Sequence, residues 1–550
     1  MMLPHGFARW IGMAGLLLAL LAGRGAGAAA TATADDHWYV LSLDGTPIGW
    51  TRSSSRPLAR PATPTGETDA SRGTEFSRSM SLRLRRADSV VNTGSEITLI
   101  EDASGHLRTV RMITTGNDPS ARTVTRWRFD ASAVTETVEQ VGRTASRERP
   151  RPSGEWLAPS AVRELVRSRL AAGAKSVVYR TIDPQAGLDA FDVTMEFAGE
   201  ERLEVRGRLR PVTRWTVRNG STPGISSDQW LSADGTMVRE RTELPIGVME
   251  VVLADEAAAR AAVGGEAPEI MVRTFVTPDR PLRGARTLRR AVYRVRIPDG
   301  MERTLPSAGA QVVEDDERDG WWRVTLDLDR PALRRTGQAA DEADPDADRA
   351  ADPVADPTDP TDPTDPADRA DDRPTDADRI ASAMLDSDDP AVRALVAAAL
   401  ANVPASADVA RRAEALRQHV RRHISEVGLG QLFASASETA RHGRGDCSEH
   451  AMLLAAMLRA ADVPARVAVG LVYADAFAGE RDVFGWHMWT QAWTGERWLD
   501  LDATLQRPFD AAHLLIGVDS MDAGGSGELS SLLVLVGALE LEVIEAESRR

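Results

Sequence analysis

Arg444-Gly445-Asp446-Cys447-Ser448-Glu449-His450 holds the only cysteine of the 550-residue chain. Two glycines, Gly443 and Gly445, punctuate a turn that runs into an apolar pattern. Ala451, Leu454, Ala455 and Leu458 recur at helical spacing. The spacing predicts a helix that starts at Cys447. A helix start presents unpaired N–H groups and the positive end of the dipole, which favour an anion. A thiol placed there has a lowered pKa and a larger thiolate fraction, so Cys447 is a candidate nucleophile. The bland alternative is a buried apolar cysteine.

Two later stretches supply partners. Gly485-Trp486-His487-Met488-Trp489-Thr490-Gln491-Ala492-Trp493 and Arg497-Trp498-Leu499-Asp500-Leu501-Asp502-Ala503-Thr504 read as strands. Gly495 lies between them as a hairpin turn. A two- or four-residue loop puts His487 and Asp502 on one face of the ribbon, opposite or diagonal. A one-residue slip would separate them. Asp500 shares that face, so the residues alone leave Asp500 and Asp502 both open as the orienting acid. The set is thiolate, imidazole and carboxylate: Cys447 attacks, His487 moves the proton, and the acid fixes the imidazole tautomer.

These stretches, with Leu458-Arg459-Ala460 and Val463-Pro464-Ala465-Arg466-Val467, resemble the transglutaminase-like superfamily over roughly residues 380–520. The resemblance implies a papain-like fold and a Cys-His-Asp triad in this order: Cys447, His487 and Asp502. It also implies a structural role for Arg466 through ion pairs or hydrogen bonds. Where the family often has Asp-Pro-Thr, this chain has Asp502-Ala503-Thr504. No cofactor is implied. Cys447, His450 and His487 as metal ligands lack a fourth partner at ligand spacing. His450 is expected to meet a carboxylate or solvent.

Around this core the expected class is multidomain α+β. Residues 1–34 read as a signal peptide: Arg9, an apolar run from Ile11 to Ala22, and small-x-small sites at Ala26-Gly27-Ala28 or Ala32-Thr33-Ala34. The run is short for a membrane span, so the expected product is exported, periplasmic or extracellular, with no stable membrane anchor after cleavage. A lone cysteine in an oxidising compartment forms no internal disulfide.

Residues 35–265 read as an antiparallel β-rich domain with one helix, Pro159 to Leu170, the sheet curving around it. That architecture resembles lipoprotein-carrier half-barrels. A hairpin is expected at Asp44-Gly45. Residues 266–335 read as a small β domain, with Ala291 to Ile297 and Trp321 to Leu326 as its strands. Residues 336–379, with Asp359-Pro360-Thr361-Asp362-Pro363, read as a disordered linker that cannot bury a core. Residues 380–550 read as the catalytic domain. It opens with a helix at Pro390 to Ala401 and another capped by Ser406 or Asp408. Residues 474–484 are expected to loop beside the cleft, and Leu532 to Ile544 to form a last strand.

Formal net charge is −16. Residues 341–379 hold 15 acidic residues against 4 arginines, so 11 of those charges are local. No basic patch supports nucleic-acid binding. The expected partner is a protein or peptide substrate. Two readings follow. One is an acyl-transfer enzyme working through a Cys447 thioester, by transamidation if an amine resolves it and by hydrolysis (amidase or cysteine protease) if water does. The other is a cell-surface binding or assembly module whose transglutaminase-like domain is not catalytic.

Overall fold

The computed structural model describes residues 35–58, 73–87, 89–117, 122–140, 143–298, 305–329, 372–426, 434–521, 532 and 535–548. Residues 1–34, expected to be a signal peptide, and most of the expected Asp/Pro linker lie outside the described residues. Those described fold as α+β, with three antiparallel sheets.

The first sheet has fourteen strands between Asp35 and Ala254. Eight strands meander to Pro150 and six more follow from Ser176. The two runs become one sheet where Asp35–Leu43 pairs with Gly247–Ala254. The first hairpin turns at Asp44-Gly45, as its sequence requires. Both residues have positive φ, 47° and 76°, between the paired Leu43 and Thr46. That is a tight turn whose twist matches the strands, and Asp and Gly tolerate it. The helix Pro159–Ala171 has its proline in the first turn, where a missing N–H costs nothing. It buries Val162 and Val166 in the same core as Met80, Val193 and Trp215.

The second sheet differs from the expected small domain. Its order is Gln311–Asp315, Trp321–Asp327, Leu288–Arg296, Glu540–Ser548. The fourth strand comes from the end of the chain, so residues 266–335 do not complete this sheet alone. The expected final strand is present but starts later, at Glu540. The apolar residues before it pack into the shared core, among them Leu535 and Val536.

The third sheet has the order Trp498–Leu501, Glu480–Trp493, Ala465–Phe477, His513–Asp519. The helix Cys447–Ala460 packs on it, and Thr490 Oγ1 donates to the Ala451 carbonyl at 2.9 Å. The expected loop at 474–484 is instead a long hairpin arm. Ala465–Phe477 and Glu480–Trp493 stay paired out to Phe477 and Glu480. Ala478 and Gly479, both at positive φ, make the turn.

The linker also ends earlier than its composition suggests. Asp372 pairs with Arg466 at 2.6 Å, and its carbonyl accepts from Trp498 Nε1 at 2.7 Å. Asp378 is buried and accepts from Ser520 at 2.6 Å. Acidic residues fold here because specific donors await them.

Candidate active site

Asp408 and not Ser406 caps the helix Val409–His423, accepting from Arg411 N–H at 2.8 Å. After this helix the chain returns through Ala436–His442 and turns at Gly443, φ +63°. Gly445 N–H donates to the Glu426 carbonyl at 3.1 Å. Gly445 is required twice over: its φ is +155°, and an added Cβ would sit 2.3 Å from the Glu449 Cβ. This tight turn delivers Asp446 as the N-cap and Cys447 as the first helical residue.

The cap is polar and buried. Asp446 accepts from Ser448 N–H at 2.9 Å and from Ser448 Oγ–H at 2.6 Å. Its other oxygen accepts from Arg86 Nη2 at 2.8 Å. Burial opposes the Asp446 charge, and Arg86 and the Ser448 donors favour it. Glu449 closes a capping box by accepting from Asp446 N–H at 2.8 Å, and it accepts from Ala434 N–H at 3.1 Å. Burial, with the Asp446 charge beside it, pushes Glu449 up to about 8, so it is a neutral acid at pH 7.

The three candidate residues come together. His487 is hydrogen-bonded to the Cys447 thiol. His487 Nε2 meets Asp502 Oδ2 at 2.9 Å, which leaves Nδ1 as the nitrogen for sulfur. Trp493 pairs with Trp498 across a four-residue loop, so Asp502 lies diagonal to His487, one of the two arrangements the parity permits. Burial opposes a charge on His487, but the Asp502 carboxylate and the thiol outweigh it and push the imidazole up to about 9. Burial and the Asp446 charge oppose ionisation of the Cys447 thiol, while the hydrogen bond to His487 and the imidazole charge favour it. The arrangement supports a thiolate–imidazolium pair.

Asp500 is occupied elsewhere. It accepts from Trp489 Nε1 at 2.9 Å, Gln491 Nε2 at 2.8 Å and Ala310 N–H at 2.9 Å. The acid facing His487 is Asp502. Its Oδ1 accepts from Thr504 N–H at 2.7 Å, and its carbonyl accepts from Arg417 at 2.9 Å. His450 meets neither solvent nor a carboxylate. It is buried, with Nδ1 2.7 Å from the Asp446 carbonyl, and burial lowers its pKa. Arg466 pairs with Asp372, donates to Gln491 Oε1 at 2.9 Å and stacks over Trp498, a packing role.

His513 is the residue that sequence reading misses. It is fully buried, and its Nε2 lies 3.2 Å from the same Asp502 Oδ2. The available signal is a histidine opening the otherwise apolar strand His513-Leu514-Leu515-Ile516, three residues after an aspartate. Arg86 leaves no signal, since 360 positions separate it from Asp446. His487, Asp502 and His513 offer ligand atoms within 4.8 Å of one another. Those same atoms are engaged in the hydrogen bonds above, and the sulfur draws on the far side of His487.

The family model of the transglutaminase-like superfamily matches residues 396–503, a stretch that contains Cys447, His487 and Asp502. The C-terminal part of the chain is a transglutaminase-like core. No curated protein matches the chain. Among solved structures it is similar to a β-barrel-like protein of a domain of unknown function from Brucella abortus (12% identity, 40% of this chain and 95% of that one, TM-score 0.29). It is similar also to a putative cysteine protease from Cytophaga hutchinsonii (14% identity, 48% and 86%, TM-score 0.26). A third is the periplasmic domain of TgpA from Pseudomonas aeruginosa, bound to ethylmercury (17% identity, 42% and 83%, TM-score 0.23). All three likenesses are distant. Among the described residues no helix is long and apolar enough to cross a membrane.

Proposed function

We propose that this protein is an exported thiol acyl-transfer enzyme acting on carboxamides of proteins or peptides. The transglutaminase-like core supports the class. The observation that carries it is the buried chain from the Cys447 thiol through His487 to Asp502, closed at 2.9 Å.

The Cys447 thiolate attacks the carbonyl carbon of an amide, forming a C–S bond. The C–N bond breaks, and His487 gives its proton to the leaving amine or ammonia. An acceptor then adds to the thioester, His487 takes the acceptor's proton, and the C–S bond breaks. A primary amine as acceptor gives transamidation; water gives hydrolysis. Asp502 stays ionised throughout and keeps the imidazole oriented. Cys447 is 2% exposed and His487 5%.

The test offers a glutamine-containing peptide with and without a fluorescent primary amine. Amine incorporation that disappears in Cys447→Ala identifies a transferase. Cysteine-dependent cleavage or ammonia release alone identifies a hydrolase. Turnover that survives in Cys447→Ala, or none with any amide, would favour the binding-module reading.

A further inference from the structure

The triad carboxylate serves two imidazoles. His513 lies on the strand His513–Asp519, which pairs with Ala465–Phe477 on the side away from the His487 strand. Its ring centroid is 5.9 Å from that of His487. Its Nε2 faces Asp502 Oδ2 at 3.2 Å. Its Nδ1 faces Asp510 Oδ1 at 3.0 Å and the Asp510 carbonyl at 3.1 Å. A carbonyl oxygen can only accept, so Nδ1 carries a proton. An ionised carboxylate can only accept, so Nε2 carries one too. Asp502 is held well below the usual carboxylate range: burial opposes its charge, but the two imidazoles outweigh it. The ring between them is therefore a cation, fully buried, with neither nitrogen free to accept.

We propose that His513 is a positioning residue for the thiol chemistry, a fixed imidazolium that neutralises Asp502 and so sets the proton affinity of His487. The inference rests on the acyl-transfer reading of the site. Arg286 closes the far end, pairing with Asp510 Oδ2 at 2.9 Å. Counting Asp502 and Asp510 against His513 and Arg286, the network sums to zero charge. The Cys447–His487 pair then shuttles one proton beside a neutral support. Without the His513 cation, the unneutralised Asp502 charge would raise the proton affinity of His487 further. Other charged or titratable groups near this network are Asp500, which is engaged by Trp489 and Gln491, Arg417 on the Asp502 carbonyl, and buried His450.

The test is the pH dependence of Cys447 alkylation by iodoacetamide, in wild type and His513→Gln. Glutamine can still donate to Asp502 but carries no charge. Removing a cation about 6 Å away, in a medium of effective dielectric about 20, should raise the neighbouring acids by about one to two units. The midpoint of the alkylation profile should move to higher pH by that amount. An unmoved midpoint with a reactive wild-type thiol overturns the role of His513 and leaves the acyl-transfer reading intact. A wild-type thiol no faster than glutathione sinks the acyl-transfer reading instead. A second measurement is independent of whether His513→Gln folds. In His487→Gln protein with 15N-labelled histidine, one ring should still carry both N–H protons near pH 8; its absence overturns the proposal. So does a stoichiometric metal in the purified protein whose removal by a chelator shifts the profile.

Discussion

Asp502 Oδ1 accepts from the Thr504 and Leu505 N–H groups while Oδ2 faces both His487 and His513, and every consequence at the residue scale follows from that. Asp502→Asn keeps the shape but replaces an acceptor with an amide and removes the charge that holds His487 as a cation. Activity should fall by roughly a hundred- to ten-thousandfold, with far less change in substrate affinity. A kcat and KM comparison checks this. His487 also gives stability a pH dependence. Its folded pKa, about 9, lies above its ordinary value of 6.5. Its stabilisation is therefore fully present below about pH 6.5 and lost as pH rises through about 9. Glu449, raised from 4.5 to about 8, acts in the same direction over a lower window. Thermal melts from pH 6 to 10 should show a falling Tm, and His487→Gln should flatten the upper part of that fall. Cys447 and His487 were legible as candidates in the sequence, because a glycine turn before a helix and a two-strand parity are local patterns; parity left Asp500 beside Asp502, and only the resemblance chose between them. His513 was not legible, because what makes it matter is the long-range meeting of three strands.

The element that carries His513 depends on one glycine. Gly470 sits where Ala465–Phe477 passes His513–Asp519, and an added Cβ would lie 1.9 Å from the Leu514 carbonyl oxygen. Gly470→Ala must push that strand away, and His513 with it. The expected cost is about 1–3 kcal/mol, with a loss of alkylation rate beyond what the lower stability explains. Denaturant titration and alkylation kinetics separate the two. Elements with a strong period were readable: the helix from Cys447, the hairpin at Asp44-Gly45, and the helix that opens at Pro159. The arm at 474–484 reads as a loop in sequence because Asp475, Gly479 and Asp482 resemble turn chemistry. Pairing along the whole arm, with Tyr473 Oη donating to Asp482 Oδ1 at 2.7 Å, overrides that local signal.

At the scale of the molecule, the N-cap of the Cys447 helix is paired with a residue of the first sheet. Arg86 ends a strand of the fourteen-stranded sheet, and both it and Asp446 are almost wholly buried where they pair. Arg86→Ala would strand the Asp446 charge, at a cost of roughly 3–5 kcal/mol. Calorimetry of the full chain should show that loss concentrated in the transition that also removes the reactive thiol. The second sheet reaches the site as well. Ala310 N–H bonds Asp500, and Gln311 makes two bonds of 2.8 Å with the Leu515 backbone. None of this was legible in the sequence, because composition shows segments and not which sheet edge the last strand completes. The Asp/Pro tract hid a related fact, that Asp372 is a fixed anchor on Arg466. The central claim, a sulfur served by one ring and one acid, is tested most directly by the rate at which iodoacetamide alkylates Cys447 at neutral pH. The account predicts a rate far above that of glutathione, falling to the glutathione rate in His487→Ala. Equal rates in the two proteins would contradict it.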